Sequence, residues 1–425
     1  MQDIRTTLTY LYDLQFFGIK FGLENTRALL QFVGNPHKKF PVIHVAGTNG
    51  KGSVCAMLAS IFEAAGLRCG LYTSPHIVHF SERIRINNIE ISENDIVRLT
   101  RLLQPEIDRL QCTFFEATTV MAFQYFEEQH VDIAVIETGL GGRLDATNVV
   151  EPEVSVITTI DFDHMAYLGD TLEKIASEKA GIIKPDKPVI VGNVLPEAFS
   201  VMQKKAHENR SPLYVLGTHI TIQNSEVGID GGCMDAQWRF SDSQGTITKI
   251  NIPLIGEHQL DNAALAVAAA RLQTRFSVSD DDIRKGIRAV IWKGRCFIKR
   301  KRPWVIVDAA HNPAGMRSLA RSIALLHKEI TGQKILMIGM LSDKDSRNAL
   351  HEIVPLFDRV VAVTPPNPRA LPADALAALI HQTGKPVEVI PDTVSAYDTT
   401  LQKLKADDLL VVTGSFYVLQ DILLR

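Results

Sequence analysis

The sequence has little of what marks a secreted protein or a cysteine-rich metal protein. It contains five cysteines, an odd number, scattered without the spacing of metal ligands. They stand at Cys55, Cys69, Cys112, Cys233 and Cys296. Because a disulfide framework needs paired cysteines and an oxidising compartment, we expect reduced core thiols in a cytoplasmic protein.

An excess of one charge and long hydrophobic runs are also missing. Lys and Arg together number 45 against 48 Asp and Glu, for a formal net charge of −3. That balance provides no strongly basic surface for nucleic acid or for an anionic membrane. Residues 1–5 lack the apolar centre of a signal peptide, and the most apolar later run, 263–270, is too short to cross a bilayer. We therefore expect no nucleic-acid or membrane partner, and we also expect a monomer.

One stretch, Val42–Ser53, has the order of features found in a phosphate-binding loop. Its β-branched start predicts a buried strand, and helical spacing resumes after Ser53. Glycines between a strand and a helix let backbone N–H groups converge on phosphate oxygens at the positive end of the helix dipole. Lys51 adds a positive charge, and the Ser53 hydroxyl can cap the first turn or bind a magnesium ion.

This loop departs from the common nucleotide pattern G-x-x-x-x-G-K-[ST]. The first glycine of that pattern would fall on Val45 and its last position on Gly52. A plain glycine-rich turn is therefore the alternative. The order of strand, glycines, lysine and hydroxyl favours the phosphate loop.

The remaining pattern predicts two α/β domains in a chain of 425 residues. Strand-like and helix-like segments alternate up to residue 208, which predicts a parallel sheet covered on both faces. Residues 213–252 alternate over short segments and predict an antiparallel edge region. A second series follows residue 295, with strands predicted at 304–308, 334–339, 359–363, 387–390 and 409–413. The predicted fold is thus a P-loop-containing parallel-sheet ATPase domain, 1–295, followed by a smaller Rossmann-like α/β domain, 296–425.

Polar side chains follow three further strands of the first series. Ser74 follows the second predicted strand, Glu137 the third and His164 the fourth. Ligands collect at the carboxyl ends of parallel strands, so these side chains and the Lys51 loop can form an Mg²⁺ or Mn²⁺ site. Imidazole is an uncommon magnesium ligand, and each residue alone could be a helix cap, a surface charge or a structural histidine. Their joint placement favours the metal site.

Six motifs, in order along nearly the whole chain, resemble the folylpolyglutamate synthase/dihydrofolate synthase family of the wider Mur ligase group. They are Gly47–Ser53, Thr73–His76, Glu137–Asn148, Glu178–Ile183, His258–Asn262 and Asp308–Pro313. The resemblance implies ATP and one or two Mg²⁺ ions, with Mn²⁺ as an alternative. It makes residues 1–295 the ATP- and folate-binding domain and residues 296–425 the glutamate ligase domain.

The resemblance also assigns roles to individual residues. The phosphates of ATP would be held by Thr48, Asn49, Gly50, Lys51, Gly52 and Ser53. Contacts to ATP from the linker and second domain would come from Asn262, Arg295, Asp308 and His311. The metal ligands would be Ser74, Glu137 and His164. The catalytic residues would be Lys51, Lys179, Arg295 and His311, with Lys179 carbamylated by CO₂.

Chemistry supports two of these roles. A carbamate at Lys179 is an anion able to ligate metal, whereas an ammonium would repel it; a surface lysine on an amphipathic helix is the alternative. An arginine from the opposite domain, Arg295, can neutralise charge on a transferring phosphoryl group.

Asp308 suits a ribose or base contact, with structural capping as its alternative. His311 or another nearby base would accept the proton of the attacking amine.

Three segments match those that contact the pterin substrate in the family. They are Phe21, Gly22 and Leu23; Thr113, Phe114, Phe115 and Glu116; and Leu144, Asp145 and Ala146.

Two motifs depart from the family. The usual Pro-Gly-Arg-Phe reads Lys293–Cys296, and the usual Asp-Gly-Ala-His has Ala309 at its second position. These departures affect the expected ATP contacts rather than the reaction class.

The implied activity is ATP-dependent ligation of L-glutamate to 7,8-dihydropteroate and to the γ-carboxylate of tetrahydrofolate glutamates, through an acyl phosphate. A polyglutamylating enzyme alone is one alternative. A Mur-type ligase acting on a nucleotide-linked peptide is less favoured, because no additional N-terminal domain for that substrate is evident. A P-loop ATPase switch is a non-ligase alternative. Dependence of phosphate release on glutamate distinguishes the ligases from the switch.

Overall fold

A computed structural model describes residues 3–14, 18, 22–326 and 330–425. Its first sheet has eight strands in the order β4-β3-β2-β5-β1-β6-β7-β8. They are β1 Val42–Ala46, β2 Cys69–Tyr72, β3 Ile84–Ile86, β4 Ile89–Glu90, β5 Ile133–Glu137, β6 Val154–Ile157, β7 Val189–Val191 and β8 Leu213–Val215. Strands β2, β5, β1, β6, β7 and β8 are parallel to one another. The β3–β4 hairpin pairs antiparallel with β2 at one edge of the sheet.

Helices cover both faces of this sheet. They are α1 Ile4–Asp13, α2 Glu24–Phe32, α3 Lys51–Ala64, α4 Glu93–Leu110, α5 Phe114–Glu128, α6 Met165–Leu168, α7 Leu172–Ala180 and α8 Pro196–Glu208. Strand β1 shows why its sequence is a continuous apolar run. Ile43 and Val45 point into the core that contains α3, whereas Val42 points into the core that contains α5.

A three-stranded antiparallel sheet packs against the same core as α3. Its strands are β9 Ile220–Gly228, β10 Gly231–Arg239 and β11 Gln244–Ile252, and two helices follow, α9 His258–Leu272 and α10 Asp280–Ala289. The antiparallel prediction is confirmed for these strands. It is wrong for Leu213–Val215, which pairs parallel with β7 as the last strand of the large sheet.

The third sheet has the order β12-β13-β17-β14-β15-β16. Its strands are β12 Phe297–Lys301, β13 Trp304–Val307, β14 Lys334–Ile338, β15 Arg359–Ala362, β16 Val387–Val389 and β17 Leu409–Thr413. All are parallel except β12. The helices beside it are α11 Pro313–Ala324, α12 Ser346–Ile353, α13 Ala373–His381, α14 Thr393–Lys403 and α15 Phe416–Leu423. Short 3-10 helices lie at Pro36–Lys38, Phe80–Arg83, Ala146–Val149 and Val354–Leu356.

The predicted α/β class with two parallel-sheet series is confirmed. Residues 297–301 were not expected to form a strand, because this edge strand lies partly exposed and carries polar residues. Helix α5 begins at Phe114, because Thr113 caps it. All five cysteines are free, and four of them are buried. No helix in the described part of the chain is long and apolar enough to span a bilayer.

The strand order itself positions the site. Strands β2, β5, β1 and β6 are direct neighbours and run parallel, so their carboxyl ends lie side by side. Ser74, the Lys51 loop and His164 lie in the segments after β2, β1 and β6, and Glu137 is the last residue of β5.

Candidate active site

The loop between β1 and α3 has a backbone that only glycine allows at two positions. Gly47 has φ 150° and Gly50 has φ 86°. A Cβ on Gly47 would collide with the Thr158 hydroxyl, and one on Gly50 would lie 2.5 Å from the Asn262 amide oxygen. Gly50 gives α3 no side-chain cap, so the first-turn N–H groups of this helix remain available to an anion.

The loop is fixed from one side by the segment after β6. The Thr48 N–H donates to the Thr159 carbonyl at 2.8 Å, and its hydroxyl accepts from the Asp161 N–H at 3.0 Å. The Asn49 N–H donates to the Thr159 hydroxyl at 3.0 Å. These hydrogen bonds fix the backbone of the loop and leave the N–H groups of the first turn of α3 unused.

Lys51 and Ser53 provide the charged and hydroxyl groups of the loop. The Lys51 ammonium donates to the Thr48 carbonyl at 3.3 Å and lies 4.0 Å from a Glu137 oxygen. Ser53 is 1% exposed, and its Oγ has no hydrogen-bond partner among the described residues. An unsatisfied buried hydroxyl is costly, so this position suits a ligand oxygen or metal ion beside the helix start.

Glu137 ends β5 as a buried carboxylate that faces several cations. It accepts a 3.1 Å hydrogen bond from the Ser74 N–H. Burial raises the pKa of Glu137, and the nearby charges of Lys51 and Arg295 oppose that rise. A carboxylate in this setting attracts a metal ion, which would supply the opposite charge that burial demands.

His164 lies on the far side of the loop. Its Nε2 is 3.4 Å from the Lys344 ammonium, and burial lowers the pKa of its imidazole to about 4. A neutral imidazole is the form that binds metal. No three His, Cys, Asp or Glu side chains gather in metal-binding geometry in the described ranges. A metal site here would therefore have to include hydroxyl or phosphate oxygens.

Lys179 is buried beside the phosphate loop. It is 4% exposed, and its ammonium donates to the Gly47 carbonyl at 2.8 Å. Burial, aided by the charge of Lys51, lowers the pKa of Lys179 to about 7. The residues on either side of Lys179 have structural roles of their own. Glu178 pairs with Arg143 at 2.8 Å, and a Cβ on Gly181 would collide with the Arg143 backbone.

The residues expected from the linker and second domain approach this edge. The Arg295 guanidinium lies 5.2 Å from the centre of the Phe416 ring and donates to the Gly294 carbonyl at 3.3 Å. Asp308 accepts from the Cys296 N–H at 2.6 Å and the Ala310 N–H at 2.7 Å. Both Asp308 oxygens therefore bind backbone N–H groups of the linker and of the segment after β13, as the structural-capping alternative expects. The contact of Asp308 with ATP stays a prediction.

A contact between the lobes involves three residues that the sequence did not single out. Asp163, 10% exposed in its side chain, accepts from Lys344 at 2.7 Å and from the Asn312 amide at 3.0 Å. The His311 Nε2 lies 3.6 Å from the same carboxylate. Burial raises the pKa of Asp163, but the hydrogen bond from His311 and the charge of Lys344 hold it well below its ordinary value. Applying the strand-end argument to the segment after β14 would have pointed to Lys344.

Residues expected to contact the pterin lie along one side of the cleft. Thr113 and Glu116 form a capping box, with a 2.7 Å bond from the Thr113 N–H to the Glu116 carboxylate. Their side chains therefore start helix α5 and place Phe114 and Phe115 at its first turn. The Phe115 ring lies against Gly139, where a Cβ would collide with it.

Of the other residues expected to contact the pterin, Asp145 has a structural role. Asp145 accepts from the Leu140 N–H at 2.8 Å and bonds the Thr147 hydroxyl, which fixes the glycine-rich loop after β5. Leu144 is partly exposed and Ala146 buried. Leu23 precedes helix α2, and Gly22 has φ 142°, whereas Phe21 lies outside the described residues.

Comparisons with known proteins agree with this arrangement. Family models of the Mur ligase middle domain and of the Mur ligase, glutamate ligase domain match residues 45–270 and 294–416. The chain is 36% identical to a dihydrofolate synthase/folylpolyglutamate synthase of Bacillus subtilis, over 99% of this chain and 98% of that protein.

Two solved structures share the fold over the same length. Escherichia coli FolC in complex with DHPP and ADP aligns with a TM-score of 0.89 and 32% identity, covering 100% of this chain and 98% of that one. A bifunctional folylpolyglutamate synthase/dihydrofolate synthase with Mn, AMPPNP and L-glutamate bound aligns with a TM-score of 0.87 and 31% identity, covering 100% and 98%. The chain therefore belongs to the Mur ligase family, among the dihydrofolate synthases and folylpolyglutamate synthases.

Proposed function

We propose that the protein ligates L-glutamate to 7,8-dihydropteroate and to the γ-carboxylate of tetrahydrofolate glutamates, using ATP. The observation that carries this proposal is the meeting of four strand ends with the second lobe around one phosphate loop. There Lys51, at the uncapped start of α3, lies 4.0 Å from the buried Glu137, and the charge of Arg295 opposes the rise in the pKa of the same group. Such a site suits phosphoryl transfer to an acid followed by amide formation.

The chemistry proceeds in two displacements. A carboxylate oxygen of the acid attacks the γ-phosphorus of ATP, ADP leaves, and an acyl phosphate forms. The α-amine of glutamate then attacks the acyl carbon, and inorganic phosphate departs with the bridging oxygen. The α3 amides, Lys51 and Arg295 stabilise the negative charge in both displacements. His311, whose Nδ1 lies 2.8 Å from the Ala309 carbonyl, is our candidate acceptor of the amine proton.

Magnesium or manganese fits the donors at these strand ends. Ser74, Glu137 and His164 would hold it, and the loop adds the buried hydroxyl of Ser53, which has no partner among the described residues. When bound, the ion would neutralise phosphate charge. The Thr48–Ser53 loop would hold the phosphates, with Asn262 beside Gly50 and Asp308 as the contact to the nucleoside.

Lys179 is suited to carbamylation. Only a neutral amine attacks CO₂, forming an N–C bond and releasing a proton, and a pKa of about 7 leaves much of this amine neutral at physiological pH. The resulting carbamate would replace a buried cation by an anion next to the metal ligands. For the pterin we propose the segments at residues 21–23, 113–116 and 144–146.

The wider organisation follows from the same reasoning. We propose a division near residue 295, with residues 296–425 as the glutamate ligase domain, since that segment has its own sheet and cores. We also propose a cytoplasmic monomer without nucleic-acid or membrane partners. The free cysteines and the net charge of −3 support this reading.

The test is an ATP-consumption assay with dihydropteroate or tetrahydrofolate, each with and without glutamate, followed by mass analysis of the products. A bifunctional ligase releases phosphate only when both acid and glutamate are present, and each product gains one glutamyl residue. Turnover with tetrahydrofolate alone would favour a polyglutamylating enzyme. Phosphate release without glutamate would favour an ATPase switch, and no turnover with either acid would reopen the Mur-type alternative.

A further inference from the structure

Arg83 is a buried cation that has no carboxylate partner among the residues that the structure describes. It ends the 3-10 helix Phe80–Arg83 and is 7% exposed. Its Nε donates to the His76 Nδ1 at 2.7 Å, which is the one side-chain hydrogen bond this guanidinium makes in the described part of the chain. It forms no ion pair there either, so its two terminal nitrogens remain available to a ligand.

The nearest polar neighbour does not compensate the charge. The His76 imidazole accepts the hydrogen bond at Nδ1 and cannot supply a negative charge. A buried charge that lacks an opposite charge is strongly unfavourable, and a neutral acceptor offsets only part of that cost.

Aromatic rings surround the guanidinium. Arg83 lies 5.0 Å from the centre of the Phe114 ring, which is close enough for a cation–π contact. Tyr12 stacks on Phe114 with ring centres 5.9 Å apart, and Phe80 meets it edge-on at 6.1 Å. Phe114 and Phe80 are buried, whereas Tyr12 is 36% exposed and offers a ring face to a planar aromatic acid.

The position of Arg83 links these rings to the phosphate-transfer site. The Arg83 carbonyl accepts a 3.0 Å hydrogen bond from the Thr73 N–H, and the Ser74 N–H donates to Glu137 at 3.1 Å. Arg83 is therefore fixed to the same segment after β2 that bonds Glu137.

We propose that the terminal nitrogens of Arg83 bind the reacting carboxylate of dihydropteroate, with its aromatic ring against Tyr12. This assignment rests on the proposed ligase function and adds a residue that recognises the aromatic one of its two acid substrates. The competing role is purely structural, in which Arg83 only fixes the turn that carries His76.

The test compares two ligands that differ only at the acid. We would titrate dihydropteroate and its carboxamide into the parent chain, Arg83→Gln and Arg83→Lys, with Mg²⁺ and a non-hydrolysable ATP analogue present. Because a charge-assisted bidentate contact is strong, the parent should prefer the acid on the order of 10–100-fold. Arg83→Gln should abolish that preference without weakening carboxamide binding, and Arg83→Lys should restore part of it.

Controls separate the possible failures. Arg98→Gln removes an exposed arginine that pairs with Glu128, and should leave the preference unchanged. If Arg83→Gln weakened the binding of acid and carboxamide equally, or weakened neither, the Arg83 assignment would be overturned. Ligase turnover by the parent would be unaffected by that result. If Arg83→Gln does not fold, an unchanged acid preference in Arg83→Lys would overturn it. Failure of the parent to bind dihydropteroate would refute the proposed dihydropteroate activity together with this proposal.

Discussion

Replacing Lys179 with Met is expected to stabilise the protein at neutral pH while removing its activity. The amine is buried beside Gly47, and its pKa falls from an ordinary 10.5 to about 7. Because the folded-state pKa is depressed, the unfolded chain binds more protons between these values. Stability therefore rises with pH across that window, and the cost of the buried amine is fully present below pH 7.

The magnitude follows from those two pKa values. The difference between 10.5 and about 7 corresponds to roughly 5 kcal/mol, of which about 4 kcal/mol applies at pH 7. Losing the hydrogen bond to the Gly47 carbonyl offsets about 1 kcal/mol. We expect Lys179→Met to be about 3 kcal/mol more stable than the parent at pH 7, and this advantage to shrink by about 2 kcal/mol by pH 9.

Urea unfolding in CO₂-free, metal-free buffer from pH 6 to pH 9 measures this difference. Lys174→Met is the matched control, because Lys174 is an exposed residue of the same helix that pairs with Asp170. Its stability difference from the parent should not vary with pH in this range. A Lys179→Met difference that is equally flat would refute the depressed pKa. It would also remove the physical basis for carbamylation.

Three further outcomes follow from the site. Lys51→Ala should lower turnover by on the order of 10²–10³-fold with an unchanged circular dichroism spectrum; near-normal turnover would remove Lys51 from the phosphate site. Arg295→Ala should lower kcat on the order of 10³-fold while dihydropteroate affinity stays within a few-fold, and equal effects on both would contradict its role in phosphoryl transfer. Asp163→Asn should weaken the contact with Lys344 and increase the radius of gyration measured by X-ray scattering without nucleotide; an unchanged radius would show that other contacts hold the lobes together.

The sequence predicted the strands that build the site, because each is a short apolar run with a polar residue after it. It could not give their order in the sheet, which places the ends of β2, β5, β1 and β6 together through pairings far apart in the chain. It missed β12, an edge strand that lies partly exposed. Lys179 shows the limit most clearly. Helical spacing alone favours a surface lysine there, and only the packing of α7 against the Gly47 loop buries it.

The contact between the lobes could not be derived from local pattern. Asp163 is next to a predicted metal ligand, yet its partners Lys344 and Asn312 lie 181 and 149 residues away. Arg83 likewise occurs in an ordinary polar segment before a strand. Its lack of a carboxylate partner becomes visible only when His76 and Phe114 are placed around it.

The most direct test of the acyl-phosphate account follows the substrate oxygen. Dihydropteroate labelled with ¹⁸O in both carboxylate positions would be turned over with ATP and glutamate, and the phosphate product examined by ³¹P NMR. The account predicts one ¹⁸O in each phosphate released, because the carboxylate oxygen that attacks the γ-phosphorus leaves with it. Product formation with unlabelled phosphate would contradict activation of the acid by phosphoryl transfer.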